Sequence, residues 1–233
     1  MNALAARIVE AWMRWDLRRS FQRIEWHGSW PPGLPEQRPL IACVNHHHFY
    51  DGHLLWYLIT HTLGRPSMVW MQEWHRFPFF APVGALPFPP NDPQTRAATV
   101  RRTAHRFQTT PKTALLYFPS GALQSPNTGV GPYPVERFTR IHRLYPQAVF
   151  WPVALHVTWD GAPSPVAQLQ GGPCLDLDRD APGAIETHLR HQWHMLRETT
   201  TAPTHLLMDG RASPADRWSF AWTLPLFKRL TPP

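Results

Sequence analysis

A chain of 233 residues with 43% hydrophobic and 17% charged side chains can bury one core of ordinary size, and that balance excludes a disordered chain. A formal net charge of +7 implies an anionic partner, and 12 tryptophans with 12 phenylalanines favour a lipid interface over nucleic acid. The arginines are not interleaved with aromatics as a base-stacking platform requires, and no stretch reaches the roughly 18 apolar residues of a bilayer span.

The two cysteines, Cys43 and Cys174, have no metal-ligand spacing, so a reducing, cytoplasmic setting is the default expectation. Arg7, Glu10 and Arg14 interrupt any apolar stretch that a secretory signal would need. The 27 prolines are spread along the chain and read as stiff loops and clipped helices.

In chain order, residues 4–18 predict an amphipathic helix. Leu4, Ile8, Val9, Trp12, Met13 and Trp15 share one face and Arg7, Glu10, Arg14 and Arg18 the other, with Asp16 a flaw in the apolar arc. Such a helix either caps a core or lies in a lipid interface, and it can do both. Residues 1–28 are therefore set apart as an amphipathic membrane-surface segment, followed by a domain over 29–233.

Residues 39–44 read as a buried strand that runs into Asn45-His-His-His-Phe-Tyr-Asp-Gly52 and then a helix over 53–63. Strands are expected at 67–71, 115–118, 148–157 (interrupted by Pro152) and 166–169. Helices are expected at 92–108 and 183–199, and 214–230 forms an aromatic-rich terminal segment with Trp218, Phe220, Trp222, Leu226, Phe227, Lys228 and Arg229. This alternation predicts a single α/β domain with a mixed β-sheet flanked by helices, plus the N-terminal helix.

The triple histidine sits at a strand-to-helix crossing, where α/β proteins place chemistry. A metal site is disfavoured because successive side chains diverge, and the hydrolase pattern HxHxDH wants its Asp one residue earlier than Asp51. The apolar flanks also argue against an exposed segment of no consequence. A catalytic reading remains: His46 as general base, with Asp51 fixing its tautomer. On a continuous helix the two would lie about 140° apart, so His46 must occupy the crossing loop and Asp51 the first helical turn.

Asn45-His46-x4-Asp51 resembles the signature of the lysophospholipid (glycerolipid) acyltransferase superfamily, the PlsC-like enzymes. Gly84 in Pro-Val-Gly-Ala-Leu-Pro-Phe88, Phe118-Pro119-Ser120-Gly121 and Trp151-Pro152-Val153-Ala154 resemble its second, third and fourth blocks in order. The resemblance spans about residues 5–160 and implies a lipid O-acyltransferase acting in phospholipid or related lipid metabolism. His46 would activate an acceptor hydroxyl towards an acyl thioester and Asp51 would hold His46. Asn45, His48 and the turn Phe118, Pro119, Ser120 and Gly121 would form the substrate pocket. The donor would be acyl-CoA or acyl carrier protein, and no cofactor or metal would be bound. The enzyme would sit peripherally on the cytoplasmic face of an anionic membrane.

The departures bear on the acceptor. Where the family has Glu and Arg in FPEGTR, this chain has Ser120 and Leu123, and the arginine expected six residues after Gly84 is Pro90. Those arginines are the expected phosphate ligands, and their loss removes charge and forked donors together. The implied acceptor is therefore either 1-acylglycerol-3-phosphate-like, with Arg96, Arg101 or Lys112 compensating, or a less charged glycolipid or lipid alcohol. Two alternatives remain open: a non-catalytic lipid-binding member of the fold, and an HHxxxDG-type acyltransferase in which His47 is the base.

Overall fold

The computed structural model describes residues 3–30, 34–159, 164–198, 202–210, 221–223 and 225. Its frame is a mixed eight-stranded sheet in the order β4-β3-β5-β2-β6-β7-β1-β8. In chain order these strands are β1 (Arg23–Trp26), β2 (Leu40–Val44), β3 (Ser67–Met71), β4 (Ala85–Pro87), β5 (Ala114–Tyr117), β6 (Val149–Thr158), β7 (Val166–Gly171) and β8 (His205–Asp209). The helices are α1 (Ala3–Ser20), α2 (Asp51–Trp56), α3 (Pro93–Thr109), α4 (Val135–Leu144) and α5 (Gly183–Glu198). The last turns after α2, Tyr57–Thr62, widen into a π-helix.

β2 is the centre of the molecule. It pairs in parallel with β5 on one side and β6 on the other, and all five of its side chains are fully buried. Covered on both faces, such a strand must be apolar throughout, as Leu-Ile-Ala-Cys-Val is. Its pleat divides the core: Leu40, Ala42 and Val44 join the cluster with α1 and α2, whereas Ile41 and Cys43 join the one with Phe107, Phe138 and Leu189 of α3, α4 and α5.

Pro152 does not interrupt β6, which runs through it in register with Cys43. Its carbonyl accepts from Gly172 N–H at 2.8 Å, just beyond the end of the β6–β7 ladder at Gly171. The missing proline N–H therefore falls where the partner strand has already ended.

The N-terminal helix fills only Ala3–Ser20 of residues 1–28, because Arg23–Trp26 form β1 inside the sheet, between β7 and β8. Met13 and Leu17 fasten α1 to the core. Leu4, Ile8, Trp12 and Trp15 remain 66%, 61%, 42% and 41% exposed. Of the terminal aromatic segment, Trp222 is described and exposed; Trp218, Phe220, Leu226, Phe227, Lys228 and Arg229 lie outside the described residues. Among the described residues no helix is long and apolar enough to cross a membrane.

Buried Arg65 ties together the loops beneath the sheet. Its guanidinium donates to the carbonyls of Lys112 (2.8 Å), Pro35 (2.9 Å) and Arg38 (2.6 Å). An ammonium on a lysine stem cannot span three such acceptors. Arg65→Lys should cost about 2 kcal/mol and Arg65→Met more, read as a lower urea midpoint at unchanged slope. Unfolding at the wild-type midpoint in both would show the three bonds to be of no consequence.

Candidate active site

The chain leaves β2 at Val44 and crosses above the sheet to α2, and the crossing is organised by one carboxylate oxygen. Asp51 opens α2 and is 1% exposed. Its Oδ2 accepts from His46 Nδ1 at 3.0 Å, from His47 N–H at 2.7 Å and from His48 N–H at 2.8 Å. The return bond, Asp51 N–H to the His48 carbonyl at 3.1 Å, closes the turn. His46 thus lies on the loop and Asp51 in the first helical turn, as their spacing requires. With Nδ1–H donated to Asp51, the other ring nitrogen of His46, Nε2, carries a lone pair and has no protein hydrogen-bond partner among the described residues.

The turn after β5 closes over this imidazole. The Phe118 ring lies 4.5 Å from that of His46, and Gln124 N–H donates to the His46 carbonyl at 2.8 Å. Gly121 occupies the left-handed region at φ 71° and donates its N–H back to the Phe118 carbonyl at 3.0 Å. Ser120 Oγ donates to the Ala122 carbonyl at 2.8 Å, so its hydroxyl is turned into the loop. Pro119 is buried, and its carbonyl accepts from Arg137 of α4. Leu123 is 57% exposed.

Asn45 occupies a different place from the pocket-lining one expected of it. It is fully buried, with Oδ1 accepting from Leu155 N–H at 2.8 Å and Nδ2 donating to the Leu155 carbonyl at 2.8 Å and to His47 Nδ1 at 3.1 Å. Both amide hydrogens are used, and Asn45 joins the loop to β6 from behind. His48 lines a cavity of about 140 Å³ together with His47, Asp51, Leu155, His156 and Val157. A space of that size takes a group comparable to benzene, and His46 is not among the residues that line it.

Asp16, the flaw in the apolar face of α1, is half-buried and faces Tyr50 and His53. Tyr50 is joined to α1 by Ser20 Oγ, which donates to its hydroxyl at 2.9 Å, and it stacks on His48 at 5.7 Å. The sequence pattern gave no sign of Arg137, Gln124 or Tyr50. Arg137 belongs to α4, whose apolar residues recur at Val135, Phe138, Ile141 and Leu144, with Phe138 and Ile141 the two that are buried.

Burial lowers the pKa of His53 from 6.5 to about 4, against a smaller opposing pull from Asp16. His47 and His156 shift the same way, chiefly by burial. Unfolded histidines take protons first as pH falls, so the stability from burying His53 neutral is complete above about pH 6.5 and lost progressively towards pH 4. His53→Phe, set among Phe49, Tyr50 and Phe80, should flatten that limb of a plot of unfolding free energy against pH. An equally steep limb in the variant would exclude His53 as its source.

No protein-family model matches the sequence, and no curated protein matches it. Among solved structures, the fold is similar to the crystal structure of the 1-acyl-sn-glycerophosphate (LPA) acyltransferase PlsC from Thermotoga maritima. The TM-score is 0.59 at 13% identity, over 84% of this chain and 81% of that one. This is a single α/β domain with the PlsC-like fold, its mixed eight-stranded sheet flanked by helices and preceded by α1.

Proposed function

We propose that this protein is a lipid O-acyltransferase that moves a fatty acyl group from a thioester, acyl-CoA or acyl carrier protein, to a hydroxyl of a lipid acceptor. The observation that carries the reading is the His46–Asp51 pair, with a buried carboxylate on Nδ1 and an Nε2 that has no hydrogen-bond partner among the described residues. The PlsC-like fold supports it.

In the reaction, His46 Nε2 takes the proton of the acceptor hydroxyl while its oxygen attacks the thioester carbonyl carbon. The tetrahedral intermediate then collapses with loss of the C–S bond, and the imidazolium returns the proton to the leaving thiolate. Asp51 stabilises the imidazolium without accepting its proton. The ester forms, a free thiol leaves, and no metal or redox partner is required by the balance.

His46→Ala should lower release of free thiol by about 10²–10⁴-fold, and Asp51→Asn by a comparable factor through the wrong tautomer. Circular dichroism should show both folded. The exposed Pro90 and Leu123, where the resembling enzymes carry arginine, favour a glycolipid or other lipid alcohol over lysophosphatidate in the same assay. Full thiol release by His46→Ala would end the proposal.

A lipid acceptor requires contact with a bilayer, and the surface beside the loop suits a peripheral site on an anionic membrane. Exposed Trp12 meets Phe79 edge-on at 5.6 Å, and Phe79 is itself 44% exposed. Phe77 leads on to Phe49 of the catalytic loop, which is 60% exposed. Exposed Arg7, Arg14, Arg18 and Arg19 flank this surface, each worth about 1 kcal/mol near anionic headgroups. The paired change Ile8→Ala with Trp15→Ala leaves buried Met13 and Leu17 in place, and it should weaken binding to vesicles of anionic phospholipid about tenfold. Wild-type binding should fall with salt yet persist, since apolar insertion is not screened. Undiminished vesicle binding by the double variant would rule α1 out as the contact.

A further inference from the structure

The second histidine of the triplet carries an inference that rests on His46 as the base. Leu155 presents one N–H and one carbonyl to the Asn45 amide, at 2.8 Å each, and this order fixes which end of the amide is nitrogen. The remaining Nδ2 hydrogen points at His47 Nδ1, 3.1 Å away. Nδ1 is thus an acceptor without a proton, and the proton sits on Nε2, 3.0 Å from the Gly129 carbonyl. Both nitrogens are occupied, one by a donor and the other by an acceptor.

Indole and guanidinium close the arrangement from the far side. The Trp193 ring of α5 meets His47 edge-on at 5.6 Å and lies 3.6 Å from where a Cβ on Gly129 would be. Arg197 covers Trp193 at 4.7 Å. We propose that His47 is a neutral positioning residue: its Nε2–H tautomer bolts the catalytic loop between Asn45 on one side and the Gly129 segment with α5 on the other, and so aims the neighbouring His46. A protonated ring would set Nδ1–H against the Asn45 N–H, donor against donor, and release the bolt. Other charged and titratable groups around it are His46 and Asp51 in its own loop, His156 on β6 and Arg197 on α5. Burial lowers its pKa, with the Gly129 bond and Asp51 opposing. It follows that α5, outside the region of sequence resemblance, belongs to the catalytic apparatus.

Proton–nitrogen correlation NMR of the histidine side chains in the intact protein tests this directly. His47 should be protonated at Nε2 alone and take up its second proton only below the ordinary histidine value of 6.5, because burial disfavours the charged ring. Protonation at Nδ1, or titration near the ordinary histidine value, overturns the proposal; the second result is what the HHxxxDG reading requires, since a base needs a free nitrogen. In thioester cleavage, His47→Phe keeps the packing under Trp193 and loses both bonds, so kcat should fall about 10- to 100-fold with KM little changed. His47→Gln, which can still donate to Gly129, should recover part of the loss. Wild-type kcat in His47→Phe overturns the proposal. If the native protein cleaved no thioester at all, the acyl-transfer reading would fail, and the tautomer measurement would still decide the role of His47 in the loop.

Discussion

A single buried oxygen, Asp51 Oδ2, holds the candidate site together. Three donors converge on it, two of them backbone N–H groups and the third the His46 imidazole. A carboxylate taken out of water is costly unless its lone pairs are satisfied, and here the groups that satisfy it are the loop to be shaped and the ring to be oriented. The same contacts therefore offset the burial of the charge, turn the chain from β2 into α2 and fix the tautomer of His46. A position in the first turn of α2 adds the favourable end of the helix dipole.

The sheet supplies the ground on which this oxygen stands. β2 and β6 are adjacent and parallel in its centre, and Asn45, the first residue past β2, is bonded in both directions to Leu155 of β6. The loop thus inherits the rigidity of two central strands, β2 buried throughout and β6 buried from Val149 to Leu155. On the other side Phe118 and Gln124 bring the loop after β5, the second neighbour of β2, against His46. Three consecutive strands of the sheet each contribute to the site, and the aromatic surface from Trp12 to Phe49 connects it to α1.

What could be read from the sequence depended on whether local pattern and tertiary role coincided. β2 and the long β6 are apolar because both faces are covered, so composition alone marks them. The Asn-His-x4-Asp spacing required a bend that the structure contains. β1 escaped notice because Arg23-Ile24-Glu25-Trp26 carries two charges; it is a strand by virtue of β7 and β8 beside it, with buried Glu25 held by Arg23 at 2.7 Å and His27 at 3.2 Å. α4 was legible in principle, since Val135, Phe138, Ile141 and Leu144 recur every three residues, although only Phe138 and Ile141 reach the core. For Asn45 the spacing located the residue and could not say which way it faces, since that depends on Leu155, 110 residues later.

Acyl transfer at this site, as proposed, is governed by the protonation of His46, oriented by Asp51. The most direct measurement compares two titrations of the same protein: the pH dependence of kcat/KM for thioester-dependent acylation, and the NMR titration of His46 Nε2. One acid limb is expected, with its midpoint coinciding with that of His46, and it should be absent from the residual activity of His46→Ala. A limb that follows another histidine, or survives in His46→Ala, would contradict it.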